Sequence, residues 1–214
     1  MTAGRVSRPA SPWTRWTQWT QWTLFAVVFF LAAPGAALTP LEHTRATLEE
    51  TRRIIDGDKP HNEKLAALSE LLKRFLDTDT MGRAALDKNW GKFAAPQQKE
   101  FLDLFRELFQ RTYVQKLLLF ERPDFAYVGE KIEDGTALVE TKIVTPKDEF
   151  AVSYVLRAEG ERWLATDIKI EELSLTGNFR RQLERLLSKA SVSDLLDRMR
   201  KKYGPGGKGG DDEL

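Results

Sequence analysis

Residues 163–180 read WLATDIKIEELSLTGNFR, and the fold follows from how this stretch is read. Residues 163–170 have the aromatic and β-branched content of a strand. Glu171-Glu172 and Leu173-Ser174-Leu175 make a short link, and a helix opens near Asn178-Phe179-Arg180. A strand that passes so directly into a helix sets that helix against its own sheet, where each covers the other's apolar side.

Upstream of this seam, residues 124–131, 136–144 and 149–157 are also strand-like. Turn signals at Asp134-Gly135, Pro146-Lys147-Asp148 and Glu159-Gly160 separate the strands, and such short links favour an antiparallel meander. Alternation puts Ala137, Val139, Thr141 and Ile143 on one face, and likewise Phe150, Val152, Tyr154 and Leu156.

Further upstream the period changes to that of helices. Thr39-Pro40 is a cap-and-first-turn pair, followed by a narrow stripe of Leu41, Leu48 and Ile55 that Gly57 ends. Pro60 and Asn62 restart a helix with Leu65, Leu68, Leu72 and Phe75 on one side. Thr78-Asp79-Thr80 caps a short helix over 81–90; Asp77 and Asp79 read as caps rather than as a metal or acid pair. Pro96 opens the longest helix, to about residue 120, with Phe101, Leu104, Phe105, Leu108, Phe109, Thr112, Tyr113 and Leu117 at three- and four-residue steps. Two helices over 177–189 and 192–202 follow the last strand. The expected class is α+β: a curved four-stranded antiparallel sheet covered by about six helices, all within residues 38–203.

The ends carry different information. Arg5, Arg8 and Arg15 precede the apolar run LFAVVFFLAA at 24–33, with no acid before Glu42. That is the pattern of an export signal, and the run is too short to span a bilayer. Gly35-Ala36-Ala37 offers a cleavage point after Ala37, so 1–37 reads as a signal peptide. An uncleaved anchor, lengthened by Trp16, Trp19 and Trp22, is the alternative. Losing 1–37 removes three arginines and no acid, taking the net charge from +1 to −2, which argues against a nucleic-acid binder. The chain has no cysteine, so no disulfides hold the exported domain, and its core must do so. The Gly-rich, charged tail 204–214 reads as disordered.

Catalytic chemistry has little to stand on. His43 and His61 are the only histidines, and no nucleophile elbow, phosphate loop or dinucleotide fingerprint occurs. Asp167 is the best candidate acid. By alternation with Trp163 and Ala165 it points inward, where it is either a general base or a hydrogen-bond acceptor locking the strand–helix seam, with Arg180 as one donor. Ser174 reads as a turn or cap residue.

The seam resembles the MlaC family of periplasmic phospholipid-binding proteins, also known as the toluene-tolerance or ABC-transporter auxiliary family. Its pattern is a Trp, an Asp four residues on, a Gly-Val-Ser-Leu-like turn and Asn-Tyr-Arg. Trp163, Asp167, Ser174, Leu175, Asn178 and Arg180 match it, while Glu172 stands where the family has Gly and Phe179 where it has Tyr. Asp79-Thr80-Met81, Leu86, Trp90, Pro96-Gln97-Gln98, Phe105 and Thr112-Tyr113 track the family's helical half in order.

The resemblance implies a soluble periplasmic carrier with no cofactor and bound phospholipid as cargo. It also implies partners: an inner-membrane ABC transporter complex with MCE-domain subunits, and an outer-membrane lipoprotein complex. Shuttling lipid between them contributes to outer-membrane lipid asymmetry. On this reading an apolar lipid cavity lies between the sheet and the long helix. Its expected walls are Phe105, Phe109, Tyr113, Val139, Thr141, Val152, Tyr154 and Leu156, with Met81 and Trp90 near them. Two other readings stay open: an isomerase- or dehydratase-like enzyme using Asp167, and a helical adaptor or chaperone with a filled core and an exposed apolar patch.

Overall fold

Thr39 caps the first helix as its place before Pro40 predicts. Its hydroxyl accepts from the Glu42 amide at 3.2 Å while the Glu42 carboxylate accepts from the Thr39 amide at 2.9 Å. The computed structural model describes residues 38–119 and 123–207. The expected signal segment 1–37 and the end of the tail, 208–214, lie outside them. Helix α1 (Pro40–Asp56) is followed by α2 (His61–Phe75), α3 (Thr78–Leu86), a 3-10 segment (Asp87–Lys92) and α4 (Ala95–Phe109). A π-turn (Gln110–Val114) leads from α4 into α5 (Gln115–Leu117), so residues 95–117 form one long helical stretch. Strands β1 (Asp124–Glu133), β2 (Thr136–Val144), β3 (Glu149–Glu159), β4 (Arg162–Ile170) and β5 (Leu173–Ser174) come next, then α6 (Leu175–Leu187) and α7 (Val192–Tyr203).

The sheet is one antiparallel meander in the order β1-β2-β3-β4-β5. It therefore has five strands among the described residues where the sequence suggested four. The fifth is too short for a periodic signal. It consists of Leu173 and Ser174 folded back on Ile170 and Lys169 by a two-residue turn. Both turn residues, Glu171 and Glu172, have positive φ, 49° and 63°. That is the conformation glycine and asparagine favour in such hairpins, and it explains why the family pattern has Gly where this chain has Glu172.

One face of the sheet meets the helices. Ala137, Val139, Thr141 and Ile143 of β2 are buried, as are Val152, Tyr154 and Leu156 of β3. Across from them a chain of aromatic rings runs through α4 into α6. Phe93, Phe101, Phe105 and Phe179 have successive centroids 5.7, 5.7 and 5.2 Å apart. The buried side of α1 differs from the expected leucine stripe. Leu48 and Ile55 are buried, but so are Thr44, Thr47 and Thr51. Their hydroxyls donate to the carbonyls of Pro40, His43 and Thr47 one turn back, at 2.8–3.0 Å, which lets polar residues sit inside without an orphaned donor.

Helix α3 begins at Thr78, earlier than expected, with Asp77 as the cap. Its carboxylate accepts from the Thr80 amide and hydroxyl and from Arg157 at 2.7 Å. Asp79 pairs with Arg106 at 2.7 Å and so ties α3 to α4. The link between α2 and α3 covers the edge of β4: Leu76 bridges Ala165, and the Asp77 amide donates to the Ala165 carbonyl at 2.9 Å. The tail begins as an ordered turn, in which the Gly207 carbonyl accepts from Arg111 at 2.7 Å.

Candidate functional site

A pocket of about 420 Å³ lies between the inner face of β2–β4 and helices α1, α2, α4, α5 and α6. Its wall is almost wholly apolar. Leu48, Leu72, Phe75 and Phe109 come from the helices, Leu76 from the link after α2, and Ile143, Phe150, Val152, Tyr154, Ile168 and Ile170 from the strands. Lys116 and Asn178 place a cation and an amide in the same wall. Burial pushes the Tyr154 phenol pKa up, with the Thr141 hydroxyl beside it offsetting only part of the effect, so the phenol stays uncharged.

Of the ten residues expected on the cavity wall, the structure brings four to this pocket: Phe109, Tyr113, Val152 and Tyr154. Met81, Phe105, Val139 and Leu156 are fully buried in the core away from it. Thr141 is buried too, its hydroxyl donating to the Val152 carbonyl at 2.9 Å. Trp90 is half-buried beneath the Arg83 guanidinium, 5.5 Å from its ring. Val139, Thr141 and Leu156 lie on the buried face of the sheet. Facing the core, however, does not say which part of the core is filled and which is empty.

Ile168 and Ile170 are pocket residues that simple alternation misses. Ala165 pairs with Leu156 and Asp167 with Val155, so Thr166 is an extra residue on β4. This bulge inverts the alternation beyond it. Ile168 and Ile170 then pair with Tyr154 and Val152 on the inner face, and Asp167 turns to the opposite face. The expectation that Asp167 points inward is thereby corrected.

The seam residues work as a lock. Asp167 accepts from the Ile168 amide at 2.9 Å, the Thr176 amide at 3.0 Å and the Ser174 hydroxyl at 2.6 Å. Ser174 in turn caps α6 by accepting from the Gly177 amide at 2.8 Å. Arg180 is not a donor to Asp167. Its Nε and Nη2 both reach the Ala84 carbonyl, at 3.0 and 2.9 Å, and so satisfy one of the open carbonyls at the end of α3. Trp163 donates to the Leu38 carbonyl at 3.2 Å. Asn178 belongs to the pocket wall as well as to the seam.

His43, remote from the strands in sequence, stacks on Phe75 with ring centroids 5.9 Å apart. Burial, with Arg162 acting in the same direction, holds its pKa below the ordinary 6.5. Its Nε2 is buried without a hydrogen-bond partner among the described residues. No helix among the described residues is long and apolar enough to cross a membrane, and no cluster of three His, Cys, Asp or Glu stands ready for a metal.

Known proteins match this architecture. The structure is similar to a phospholipid-binding protein from Ralstonia solanacearum, solved in complex with a phospholipid. The TM-score is 0.67 and the identity 20%, covering 74% of this chain and 93% of that one. At that identity the likeness is one of fold. No curated protein sequence matches the chain. The family model described as MlaC protein matches residues 43–201, well over half of the chain and nearly all of the domain just described, so the chain belongs to the MlaC family.

Proposed function

We infer that this protein is a phospholipid carrier, and the observation that carries the reading is the apolar pocket between sheet and helices. A lipid in aqueous transit must hide its acyl chains. At about 30 Å³ for a water-sized group such as a methylene, 420 Å³ holds about 14 of them. At about 0.8 kcal/mol each, that burial is worth about 11 kcal/mol before the costs of ordering. Such a pocket supports a carrier over an adaptor, whose core would be filled. Asp167 is engaged by three donors and faces away from the pocket, which leaves the isomerase-like alternative without its base.

The family membership and the phospholipid held by the Ralstonia protein support the same conclusion. On this reading the chain is exported by its N-terminal segment and works in the periplasm. There it takes phospholipid between an outer-membrane lipoprotein complex and an inner-membrane ABC transporter with MCE-domain subunits, and so contributes to outer-membrane lipid asymmetry.

The test is mass spectrometry of an organic-solvent extract of the full chain, expressed for export and purified. Stoichiometric diacyl phospholipid is expected, and Val152→Trp, which puts an indole into the pocket, is expected to reduce it. A folded protein that carries no lipid and takes none up from vesicles would overturn the reading.

A further inference from the structure

The last two helices carry a charge that the rest of the domain does not share. Residues 175–203, which span α6 and α7, hold eight Lys and Arg against three Asp and Glu, a net +5. Residues 38–174 hold 21 against 26, a net −5. The small total charge therefore conceals two opposed parts, and a partner at close range meets the local field rather than the sum.

The three acids of these helices are already engaged. Glu184 pairs with Lys88 at 2.9 Å, Asp197 pairs with Arg200, and Asp194 accepts from the Ser191 amide and hydroxyl at 3.0 and 2.7 Å at the start of α7. Arg180 is directed to the Ala84 carbonyl. By contrast, Arg181, Arg185, Lys189 and Lys201 are exposed and form no ion pair among the described residues. Phe179, Leu183, Leu195, Leu196 and Met199 take the inner sides of the two helices, so these cations stand on the open side.

The cationic row starts at the lipid pocket. Asn178 lines that pocket, and it also lines a surface cleft together with Arg181, Glu184 and Arg185 of the next two turns. The same pocket reaches the surface at Ile170, a lining residue that is 37% exposed. Leu173, paired with Ile170 across the β4–β5 turn, is 68% exposed. Of the two acids in that turn, Glu171 is tied to the Ala151 amide at 2.6 Å, and Glu172 is exposed beside the apolar pair.

Exposed apolar side chains next to a row of unpaired cations are the two means by which a protein surface holds an anionic bilayer. We propose that the outer side of α6 and α7, with Ile170 and Leu173 at its pocket end, docks on a bilayer that contains anionic phospholipid. An acidic protein would match the cations alone, whereas a bilayer matches the cations, the apolar pair and the pocket beside them. The proposal rests on the carrier reading and adds to it the face, and the lipid charge, through which the carrier meets a membrane.

The full chain, expressed for export and purified, is floated with vesicles of phosphatidylglycerol and phosphatidylcholine in equal parts, and with vesicles of phosphatidylcholine alone. Binding to the mixed vesicles is expected at about 0.05 M salt and is expected to disappear at about 0.5 M, where the screening length falls to about 4 Å. Each charge near the surface changes the partition about fivefold. Arg181→Gln combined with Arg185→Gln should therefore weaken binding about 25-fold, and Glu172→Gln should strengthen it about fivefold. Lys131→Gln on β1, at the opposite edge of the sheet, removes the same charge and should leave binding within about twofold. Equal binding to both kinds of vesicle overturns the proposal, as does an arginine double variant that keeps the parent circular dichroism and binds as the parent does. If that variant fails to fold, the salt series and Glu172→Gln decide. No binding at low salt also overturns it and leaves the cations to an acidic protein. In each of these cases, stoichiometric phospholipid in a solvent extract of the same protein keeps the carrier reading intact. A lipid-free extract from protein that takes up none from vesicles removes the carrier reading, and the proposal with it.

Discussion

Replacing Asp167 separates a structural lock from a catalytic acid. Its two oxygens take three hydrogen bonds: one from the adjoining Ile168 amide within β4, and two that join β4 to the start of α6, from the Thr176 amide and from Ser174, itself the cap of that helix. Bonds to an ionised carboxylate are worth about 1.5–3 kcal/mol when buried, and less here because Asp167 is only half-buried. Taking about 1 kcal/mol for each, Asp167→Ala is expected to lower the unfolding free energy by about 3 kcal/mol. Asp167→Asn keeps an acceptor for the two amides and disturbs mainly the Ser174 bond, for about 1.5 kcal/mol. For a domain of this size these losses lower Tm by about 6–12 °C and about 3–6 °C. Calorimetry or urea unfolding monitored by Trp163 fluorescence measures both. The reasoning is refuted if Asp167→Ala unfolds within about 0.5 kcal/mol of the parent. Bound lipid should survive in both variants below their transitions, because Asp167 does not line the pocket.

Other perturbations test separate parts of the fold. Glu172→Gly removes a left-handed non-glycine residue at φ 63° and is expected to raise stability by about 1 kcal/mol, seen as a higher urea midpoint. Glu171→Gly should gain nothing, since the Glu171 carboxylate accepts from the Ala151 amide at 2.6 Å and that bond is lost. Gly82→Val should cost about 2 kcal/mol, because even a Cβ there would lie 2.9 Å from Leu102 and 3.1 Å from Phe105. At Asp77, burial pushes the pKa up, but Thr80 and Arg157 outweigh it and hold the carboxyl below its usual 3.8. Its contribution is therefore complete above about pH 3.8 and is lost as pH falls through the lower folded value, so Asp77→Asn should flatten the acid limb of a stability–pH curve. His43, held neutral by burial, works in the same direction at higher pH. Stability should decline as pH drops below 6.5, and a proton NMR titration of its ring should show the depressed value.

The elements themselves were legible because they rest on local chemistry. Thr39-Pro40 caps a helix wherever it occurs, Asp134-Gly135 turns a hairpin with both residues at positive φ, and alternation along 136–144 is enough to place Val139 inside. The two-residue period of burial along β2 and β3 needs no partner to be read. By contrast, the bulge at Thr166 carries no composition of its own, since a Thr-Asp pair suits a regular strand equally well. One extra residue there exchanged Asp167 for Ile168 and Ile170 on the inner face. The π-turn at Gln110–Val114 is likewise invisible to a pattern of three- and four-residue steps, which runs straight through it.

What the sequence by itself determined is the class of the fold, the inner faces of β2 and β3, the long aromatic helix and, through the seam, the family. These depend on interactions between residues close in the chain or on a repeating period. What only the tertiary structure decided is where the core is empty. The pocket is bounded by Thr47, Leu72, Phe109, Val152, Ile170 and Asn178, drawn from six different elements. Met81 and Val139, just as apolar and just as inward, pack in the filled part. A void is a property of how volumes from distant segments fit together, and no single segment's pattern records it.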